Sequence, residues 1–468
     1  MQDRAETSPS AGSLRRLDPL AELMMLDTRA KFPMGFFIEC GCEGELDREK
    51  LGAALHKVAY RHPNVMSHVV WKAGRPFWKL AAQPPELLWD PHSAGVDPWR
   101  PFDLSRDTGL RLVVLPSTRQ SGSPAKWRIV LYGHHAVCDG LAVCELLGEI
   151  WTHYANRPLP SLACSEVPAA ELSSASQPII SEIDKPIAER LTSVLAEALR
   201  FLFFFPAKLQ RNSVATQRAA AEAKISANGI LPYAESCVSP PYRILSFTEA
   251  QMASLRKAVG TRNVTLNTLM MAASMRVLAE WNREVNGSQR GIRITMPVSL
   301  RPDSRRQPAE NRIGYAFLDR TFSDCLNEET LMQTLSEASA WIKKSGAAGM
   351  FITAIGILSK IPGVLWLILR LPLCFSTAVV SNLGDARRCM RTELPDSDRG
   401  QIAGNTVITY VVGVPPVRPR TTASLGIVRY GNHLYVACLT DERTLGPAAA
   451  ERLLARMYAE CLHLASKS

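Results

Sequence analysis

The sequence lacks the cysteine and histidine spacings that build metal sites. Its eleven cysteines are scattered, none forms a Cys-x-x-Cys pair, and Cys40 and Cys42 have no partner Cys/His pair at zinc-binding spacing. Structural zinc sites need such pairs, so we expect no metal. The first eighteen residues also lack the apolar core of a secretory signal. We therefore expect a cytoplasmic protein whose thiols stay reduced.

Other missing patterns exclude further classes of protein. Basic residues are scattered, apart from Arg305-Arg306 and Arg387-Arg388, and they form no stripe interleaved with aromatics, so we expect no nucleic-acid partner. No Gly-x-Ser-x-Gly elbow and no cysteine beside a base are present, which argues against a covalent nucleophile. No segment repeats with a period of 20 to 50 residues, as a solenoid would require. The net charge of +10 suits a phosphorylated cofactor, an acidic carrier protein or an anionic membrane.

The length of 468 residues exceeds one compact core and predicts two domains. We expect a flexible N-terminus over 1–16, a first α/β half over 17–155, a linker and helical crossover over 156–238, and a second half over 239–468. Apolar periodicity predicts helices over 46–61, 265–284 and 447–465, and strands over 36–42, 67–71, 110–115, 127–132 and 292–298, with a hairpin turn at 430–432.

A mostly apolar stretch runs from residue 350 to 380. Lys360, Pro362, Arg370 and Pro372 interrupt it, so it is too broken for a spanning helix of about 20 apolar residues. Two structures fit this stretch: a buried helix pair that lines an apolar cavity, or an interfacial patch that contacts a membrane peripherally.

The segment His134-His135-Ala136-Val137-Cys138-Asp139-Gly140 lies between a predicted strand and a predicted helix. A neutral imidazole can accept a proton from an alcohol or an amine at pH 7, so His135 is the candidate general base. Structural histidines are common beside strands, and we expect His134 to hold the loop by hydrogen bonds. Asp139 suits a helix cap or an ion pair, and Gly140 permits close backbone approach.

Several further segments carry a family resemblance in the same order along the chain. They are residues 51–55 and 61–63, 101–104 and 110–111, 264–267, 296–301 with Asn311 and Gly314, 380–384, and 430–441. Together with His-His-x-x-x-Asp-Gly, they resemble the condensation-domain superfamily of CoA-dependent acyltransferases. The pattern is closest to the wax ester synthase/diacylglycerol acyltransferase branch and to free-standing polyketide-associated acyltransferases. The Asp-Phe-Gly-Trp-Gly box of the plant alcohol acyltransferases is absent.

This resemblance implies an α/β (α+β) fold of two chloramphenicol-acetyltransferase-like sandwich halves, arranged as a V-shaped pseudo-dimer around a central tunnel. It implies that His135 takes the proton of the acceptor as the acceptor attacks an acyl thioester, without an acyl-enzyme. Asp139 would form a structural ion pair with Arg301. Ser381 and Asn382 would line the tunnel near the thioester.

The resemblance implies O-acyl transfer from acyl-CoA, or from an acyl carrier protein, to a hydrophobic alcohol. The donor is then a co-substrate, no cofactor is permanently bound, and the chain acts as a free-standing monomer. Two alternatives remain open: amide formation by an N-acyltransferase of the condensation type, and an inactive scaffold of the same fold that binds lipid or assembles other proteins.

Overall fold

The computed structural model describes residues 14–91, 93–117, 127–162, 204–209, 240–301, 306–446 and 448–467. Most of the predicted flexible N-terminus and of the predicted linker and crossover lies outside the described residues.

The described residues form sixteen strands, which alternate with helices over most of the chain. The strands are β1 (Arg15–Arg16), β2 (Gly35–Gly44), β3 (Ser67–Lys72), β4 (Arg75–Leu80), β5 (Glu86–Trp89), β6 (Leu110–Pro116), β7 (Trp127–His134), β8 (Tyr242–Phe247), β9 (Ile292–Ser299), β10 (Ile313–Arg320), β11 (Ala378–Asp385), β12 (Asp396–Ser397), β13 (Gly400–Ala403), β14 (Thr406–Val414), β15 (Ala423–Tyr430) and β16 (His433–Thr440).

Twelve helices accompany these strands within the same described residues. They are α1 (Pro19–Asp27), α2 (Arg48–Ala59), α3 (Gly140–Tyr154), α4 (Glu249–Thr261), α5 (Leu266–Asn286), α6 (Phe322–Leu326), α7 (Glu328–Ser345), α8 (Ala347–Leu358), α9 (Val364–Arg370), α10 (Ala386–Met390), α11 (Glu442–Leu445) and α12 (Ala449–Ser466).

Two mixed sheets dominate the fold, so the predicted α/β class is confirmed. The first sheet has the order β12-β13-β14-β2-β7-β6-β5, and the second has the order β10-β9-β11-β15-β16-β8. In the first sheet β5 and β6 are parallel, and in the second β11 runs parallel to both β9 and β15. A small third sheet has the order β1-β4-β3.

Strands β12 to β14 belong to the last quarter of the chain, yet they extend the first sheet, where β14 pairs with β2. The halves of the chain are therefore joined by strand pairing as well as by helix packing. The predicted domain boundary between residues 238 and 239 stays a prediction.

A buried carboxylate joins strands from both sheets. Glu39 on β2 is fully buried and accepts hydrogen bonds from Arg128 at 2.9 and 2.8 Å and from the hydroxyls of Tyr242 and Tyr410, each at 2.6 Å. Burial alone would raise the pKa of Glu39, but the Arg128 guanidinium and the two hydroxyls hold it below its usual range. Since Tyr242 lies on β8, this network fixes the second sheet against the first.

The helices and strands that the sequence predicts are present, with shifts of at most two residues at their ends. The predicted helix over 46–61 is α2, the predicted strand over 127–132 is β7, and the turn at 430–432 joins β15 to β16. Asp47 caps α2 through its side chain, and Thr265 caps α5. These local signals placed the elements correctly because amphipathic periodicity and caps act within a few residues.

The apolar stretch over 350–380 contains two helices, α8 and α9, and these helices are buried on one side only. Leu365 and Leu369 face inward, whereas Trp366 and Leu367 are half exposed. A fully buried helix pair is therefore the wrong interpretation of this stretch. Within the part of the chain that the structure describes, no helix has the length and apolar character that crossing a bilayer requires.

Candidate active site

The loop that joins β7 to α3 carries the His-His-x-x-x-Asp-Gly segment at one end of the first sheet. β7 lies between β2 and β6, where Gly35 on β2 pairs with His134. Backbone bonds hold the loop from both sides: the amide of His134 donates to the Gly109 carbonyl at 2.8 Å, and that of His135 donates to the Met34 carbonyl at 3.0 Å. These backbone bonds therefore hold the loop in a fixed position on the sheet.

His134 is fully buried and both of its ring nitrogens are used. The amide of Ala136 donates to Nδ1 at 3.1 Å, so the proton is on Nε2, which donates to the Thr28 hydroxyl at 2.8 Å. Thr28 in turn donates to the Met24 carbonyl at 2.9 Å. Burial lowers the pKa of His134 to about 3, and the neighbouring His135 acts in the same direction. This ring is a neutral structural group that ties the loop to α1.

His135 has a different environment. It is 7% exposed, its ring packs at 5.1 Å from the Phe36 ring, and its Nδ1 is buried without a hydrogen-bond partner. Burial lowers its pKa, while its own backbone, Asp139 and Asn311 act to raise it. The imidazole is therefore neutral at pH 7, the state that a general base requires.

Asp139 is held by donors from both halves of the chain. It caps α3 by accepting from the Ala142 amide at 3.0 Å, and its Oδ2 accepts from the Arg312 amide and from Arg301 Nη1, each at 2.7 Å. Arg301 follows β9 and also donates to the Glu310 carbonyl. The structure thus brings together the two side chains of the predicted ion pair, and the Asp139 carboxylate, 1% exposed, has a fixed orientation.

Asn311 contacts the backbone of the candidate base. Its Nδ2 donates to the carbonyl of His135 at 2.8 Å and to that of Ala136 at 3.1 Å, while its Oδ1 is buried without a partner. The sequence comparison placed Asn311 in a segment that resembles the acyltransferase superfamily, but it assigned no role to this residue. No local sequence pattern could have predicted the roles of Thr28 and Met34, because each contacts a residue of the motif that lies more than a hundred residues away in the chain.

The loop that carries Asn311 is anchored by His62 and Glu149. The Ala309 amide donates to His62 Nδ1 at 2.9 Å, and His62 Nε2 donates to Glu149 at 3.2 Å. Arg61 also donates to Glu149, at 2.6 Å. Both His62 and Glu149 are buried, so this support is rigid.

The remaining predicted site residues lie on or near β11. Asn382 donates to Asn267 at 3.0 Å and accepts from the Gly384 amide at 2.8 Å, and Ser381 beside it pairs with Gly426 in the sheet. The next side chain, Leu383, reaches the start of α3, where a Cβ on Gly140 would lie 3.4 Å from it. β11 therefore packs against the α3 end of the motif.

Among the described residues, this site contains neither a thiol poised as a nucleophile nor a cluster placed to hold a metal ion. Cys138 lies in the motif, but burial and the nearby Asp139 raise the pKa of its thiol, so it stays protonated. The described residues contain no group of three or more His, Cys, Asp or Glu placed to hold a metal ion.

Comparison with curated proteins gives distant relatives. The probable diacylglycerol O-acyltransferase tgs1 of Mycobacterium tuberculosis is 24% identical over 398 residues, which cover 79% of this chain and 74% of that protein. An uncharacterized protein of the same organism is 24% identical over 464 residues, which cover 96% of this chain and 98% of that protein. No family model matches.

Solved structures match over nearly the whole chain. The trichothecene 15-O-acetyltransferase of Fusarium sporotrichioides gives a TM-score of 0.66 at 11% identity and 97% coverage of each chain. The starter condensation domain of rhizomide synthetase in complex with C8-CoA gives 0.63 at 14% identity, with 97% and 95% coverage. Polyketide synthase associated protein 5 of M. tuberculosis gives 0.58 at 17% identity, with 97% and 98% coverage. This chain therefore has the fold of the condensation domains and CoA-dependent acyltransferases, and the resemblance predicted from its sequence is confirmed.

Proposed function

We propose that this protein is an acyltransferase that moves an acyl group from acyl-CoA to the hydroxyl of a hydrophobic alcohol, with His135 as the general base. The observation that carries the proposal is the contrast between two adjacent imidazoles. His134 uses both ring nitrogens in buried hydrogen bonds, whereas His135 uses neither in a bond of standard geometry and keeps a small exposed surface.

In the proposed reaction Nε2 of His135 faces the substrates, because Nδ1 has no accessible surface. Nε2 takes the proton of the alcohol as the alcohol oxygen attacks the thioester carbonyl. The tetrahedral intermediate then collapses, the carbon–sulfur bond breaks, and the CoA thiolate recovers the proton from Nε2. His135 ends neutral, and no acyl-enzyme forms.

Asp139 and Arg301 support the base in this scheme without touching the substrates. Their ion pair fixes the start of α3, and Asn311 fixes the carbonyls of His135 and Ala136. We further propose that residues 17–155 and 239–468 form two halves of a V-shaped monomer, that the tunnel between them passes His135, and that Ser381 and Asn382 line its thioester side.

The decisive experiment measures thiol release from a panel of acyl-CoA donors against long-chain alcohols, diacylglycerol, sugars and amines. Turnover that requires an alcohol and yields an ester supports the proposal. Amide products with no ester would replace it by condensation-type N-acyl transfer, which the likeness to condensation domains favours as the second candidate. Binding of acyl-CoA without transfer to any acceptor would favour the inactive scaffold.

A further inference from the structure

A group of large apolar side chains lies exposed on the outer side of α8, α9 and the segment that follows them. Its members are Ile357, Ile361, Trp366, Leu367, Leu371 and Leu373, which are between 42% and 58% exposed. We call these six residues the outer apolar face. Single exposed apolar residues are ordinary, whereas larger exposed apolar groups mark interaction surfaces, and these six side chains lie on or beside two consecutive helices.

The opposite side of the same two helices contacts α1, which keeps the outer apolar face at the surface. α1 packs against both α8 and α9. Arg29 donates to the Leu369 carbonyl and Arg370 to the Leu26 carbonyl, which ties α9 to the end of α1. Leu365 and Leu369 are buried on the side of this support, whereas Trp366 and Leu367, on the other side of α9, are half exposed among the described residues.

The charged residues within the segment that carries the outer apolar face have one sign. Between Glu337 and Asp385 the chain contains no Asp or Glu, whereas it contains Lys343, Lys344, Lys360 and Arg370. The Arg370 guanidinium lies 5.3 Å from the Trp366 ring centre. An aromatic and aliphatic surface with cations at its edge is complementary to an anionic lipid headgroup layer above acyl chains.

More cations lie at the end of the face near Leu373. Burial raises the pKa of the adjacent Cys374 thiol, and positive charges that include Lys208, Arg420 and Arg290 act against that shift. Phe205, which is 62% exposed, accepts a hydrogen bond from Arg290 at this same end. The positive rim therefore continues past the two helices.

A cavity of about 80 Å³ borders the outer apolar face, and Leu371 and Leu373 belong to both. The polar side of the cavity wall is formed by Asp27, Arg29, Arg370, Arg418 and Arg420. Asp27 and Arg418 are paired at 2.5 Å, and the charge of Arg418 acts on His135. The cavity thus lies between the outer apolar face and the Asp27–Arg418 ion pair.

We propose that the outer apolar face docks on a membrane surface that contains anionic phospholipid, with Trp366 and Leu367 inserted below the headgroups and Lys360 and Arg370 paired with lipid phosphates. Docking in this orientation sets the cavity mouth at the bilayer, from which a hydrophobic acceptor enters. This last step rests on the proposed acyl transfer, whereas the docking itself does not.

The test measures partition of the full chain onto sedimenting vesicles, with no substrate present. Vesicles of phosphatidylcholine alone are compared with mixed phosphatidylcholine and phosphatidylglycerol vesicles at low and high salt. The apolar variant is Trp366→Ala with Leu367→Ser, and the charge variant is Lys360→Glu. Their matched controls, at the C-terminal end of α2, are Tyr60→Ala and Lys57→Glu, which change an exposed aromatic and an exposed lysine elsewhere on the surface.

We expect binding that requires phosphatidylglycerol and weakens as salt screens the charges. The apolar variant and the charge variant should each lower the partition coefficient about tenfold, since each lysine near an anionic surface and each inserted apolar side chain contributes comparably. The two α2 controls should bind like the wild type.

Equal binding of the wild type and the apolar variant would overturn the proposal, as would wild-type binding that does not depend on phosphatidylglycerol. A third result would also overturn it: the wild type does not bind vesicles but forms a concentration-dependent dimer, and the apolar variant abolishes that dimer. The outer apolar face would then be an interface with a second copy of the chain. Vesicle binding by a chain that shows no acyl transfer would leave the docking intact and remove only the proposed function.

Discussion

Arg301 and Asp139 form a buried ion pair across the two halves of the chain, with Nη1 2.7 Å from Oδ2. Arg301 follows β9 of the second sheet, and Asp139 caps the helix that follows the His-His segment. Because the Arg312 amide donates to the same carboxylate, the chain directly before β10 is also fixed onto the motif. One pair of side chains thus connects the position of the candidate base to the packing of the second half.

Arg301→Ala should destabilise the protein strongly, because it leaves the Asp139 carboxylate buried without its counter-charge. Loss of one partner of a buried pair costs about 3 to 5 kcal/mol. Urea unfolding followed by circular dichroism measures the free energy of unfolding. The matched control is Arg312→Ala, whose side chain pairs with Glu310 at the surface and should cost under about 1 kcal/mol. Equal stability of the Arg301 variant and the wild type would remove Arg301 from its assigned role.

His135→Ala should abolish most acyl transfer while acyl-CoA binding persists. Loss of a positioned general base lowers kcat by about 100- to 10,000-fold. Thiol release gives kcat, and isothermal titration with a non-hydrolysable acyl-CoA analogue gives binding. His56→Ala, a change at an exposed histidine on α2, serves as the control. Full transfer by the His135 variant would disprove the mechanism.

The pH profile of kcat/KM should rise to a plateau with its acid midpoint below pH 6.5. Burial lowers the pKa of His135 below its ordinary value near 6.5, so more than half of the base is already neutral at pH 6.5. Initial rates from pH 4.5 to 8.5 at low acceptor concentration measure this midpoint. A midpoint above pH 7 would contradict the assignment of this ionisation to His135.

Asn311→Ala should lower kcat by about tenfold or more with little change in the KM for acyl-CoA, because it frees the carbonyls of His135 and Ala136 and misplaces the base. It should also move the acid midpoint of the rate profile down, since Asn311 acts to raise the pKa of His135. A loss of stability alone would leave that midpoint where it is in the wild type. An unchanged midpoint therefore argues that Asn311 does not position the base.

The stability of the fold should fall in acid through His134. Its pKa in the folded protein is about 3, whereas an exposed histidine has a pKa near 6.5, so the unfolded chain binds more protons below pH 6.5. Stability from this residue is complete above pH 6.5 and is lost as pH falls, by about 3 kcal/mol at pH 4. Asp18 acts the opposite way, because burial raises its pKa to about 6 and its contribution is lost as pH rises through that value.

Urea unfolding of the wild type and of His134→Asn at pH 7 and pH 4 isolates the histidine, since Asp18 is common to both. The variant should be less stable at pH 7 and should depend less on pH. Parallel pH dependence in the two proteins would show that His134 is not held neutral.

Sequence patterns were sufficient to predict α2, α5, α12, β2, β3, β6, β7 and β9 and to place the motif between β7 and α3, because periodicity and caps are properties of short segments. It also identified Arg301 as the candidate partner of Asp139 through family likeness. The three-dimensional packing was needed to show that Thr28 contacts His134 while Asn311 contacts the backbone of His135, that β14 pairs with β2 in the first sheet, and that Trp366 is half exposed. One cause explains why sequence patterns missed all of these contacts. These contacts join residues far apart in the chain, and their energy depends on burial and distance, which no local pattern of residues encodes.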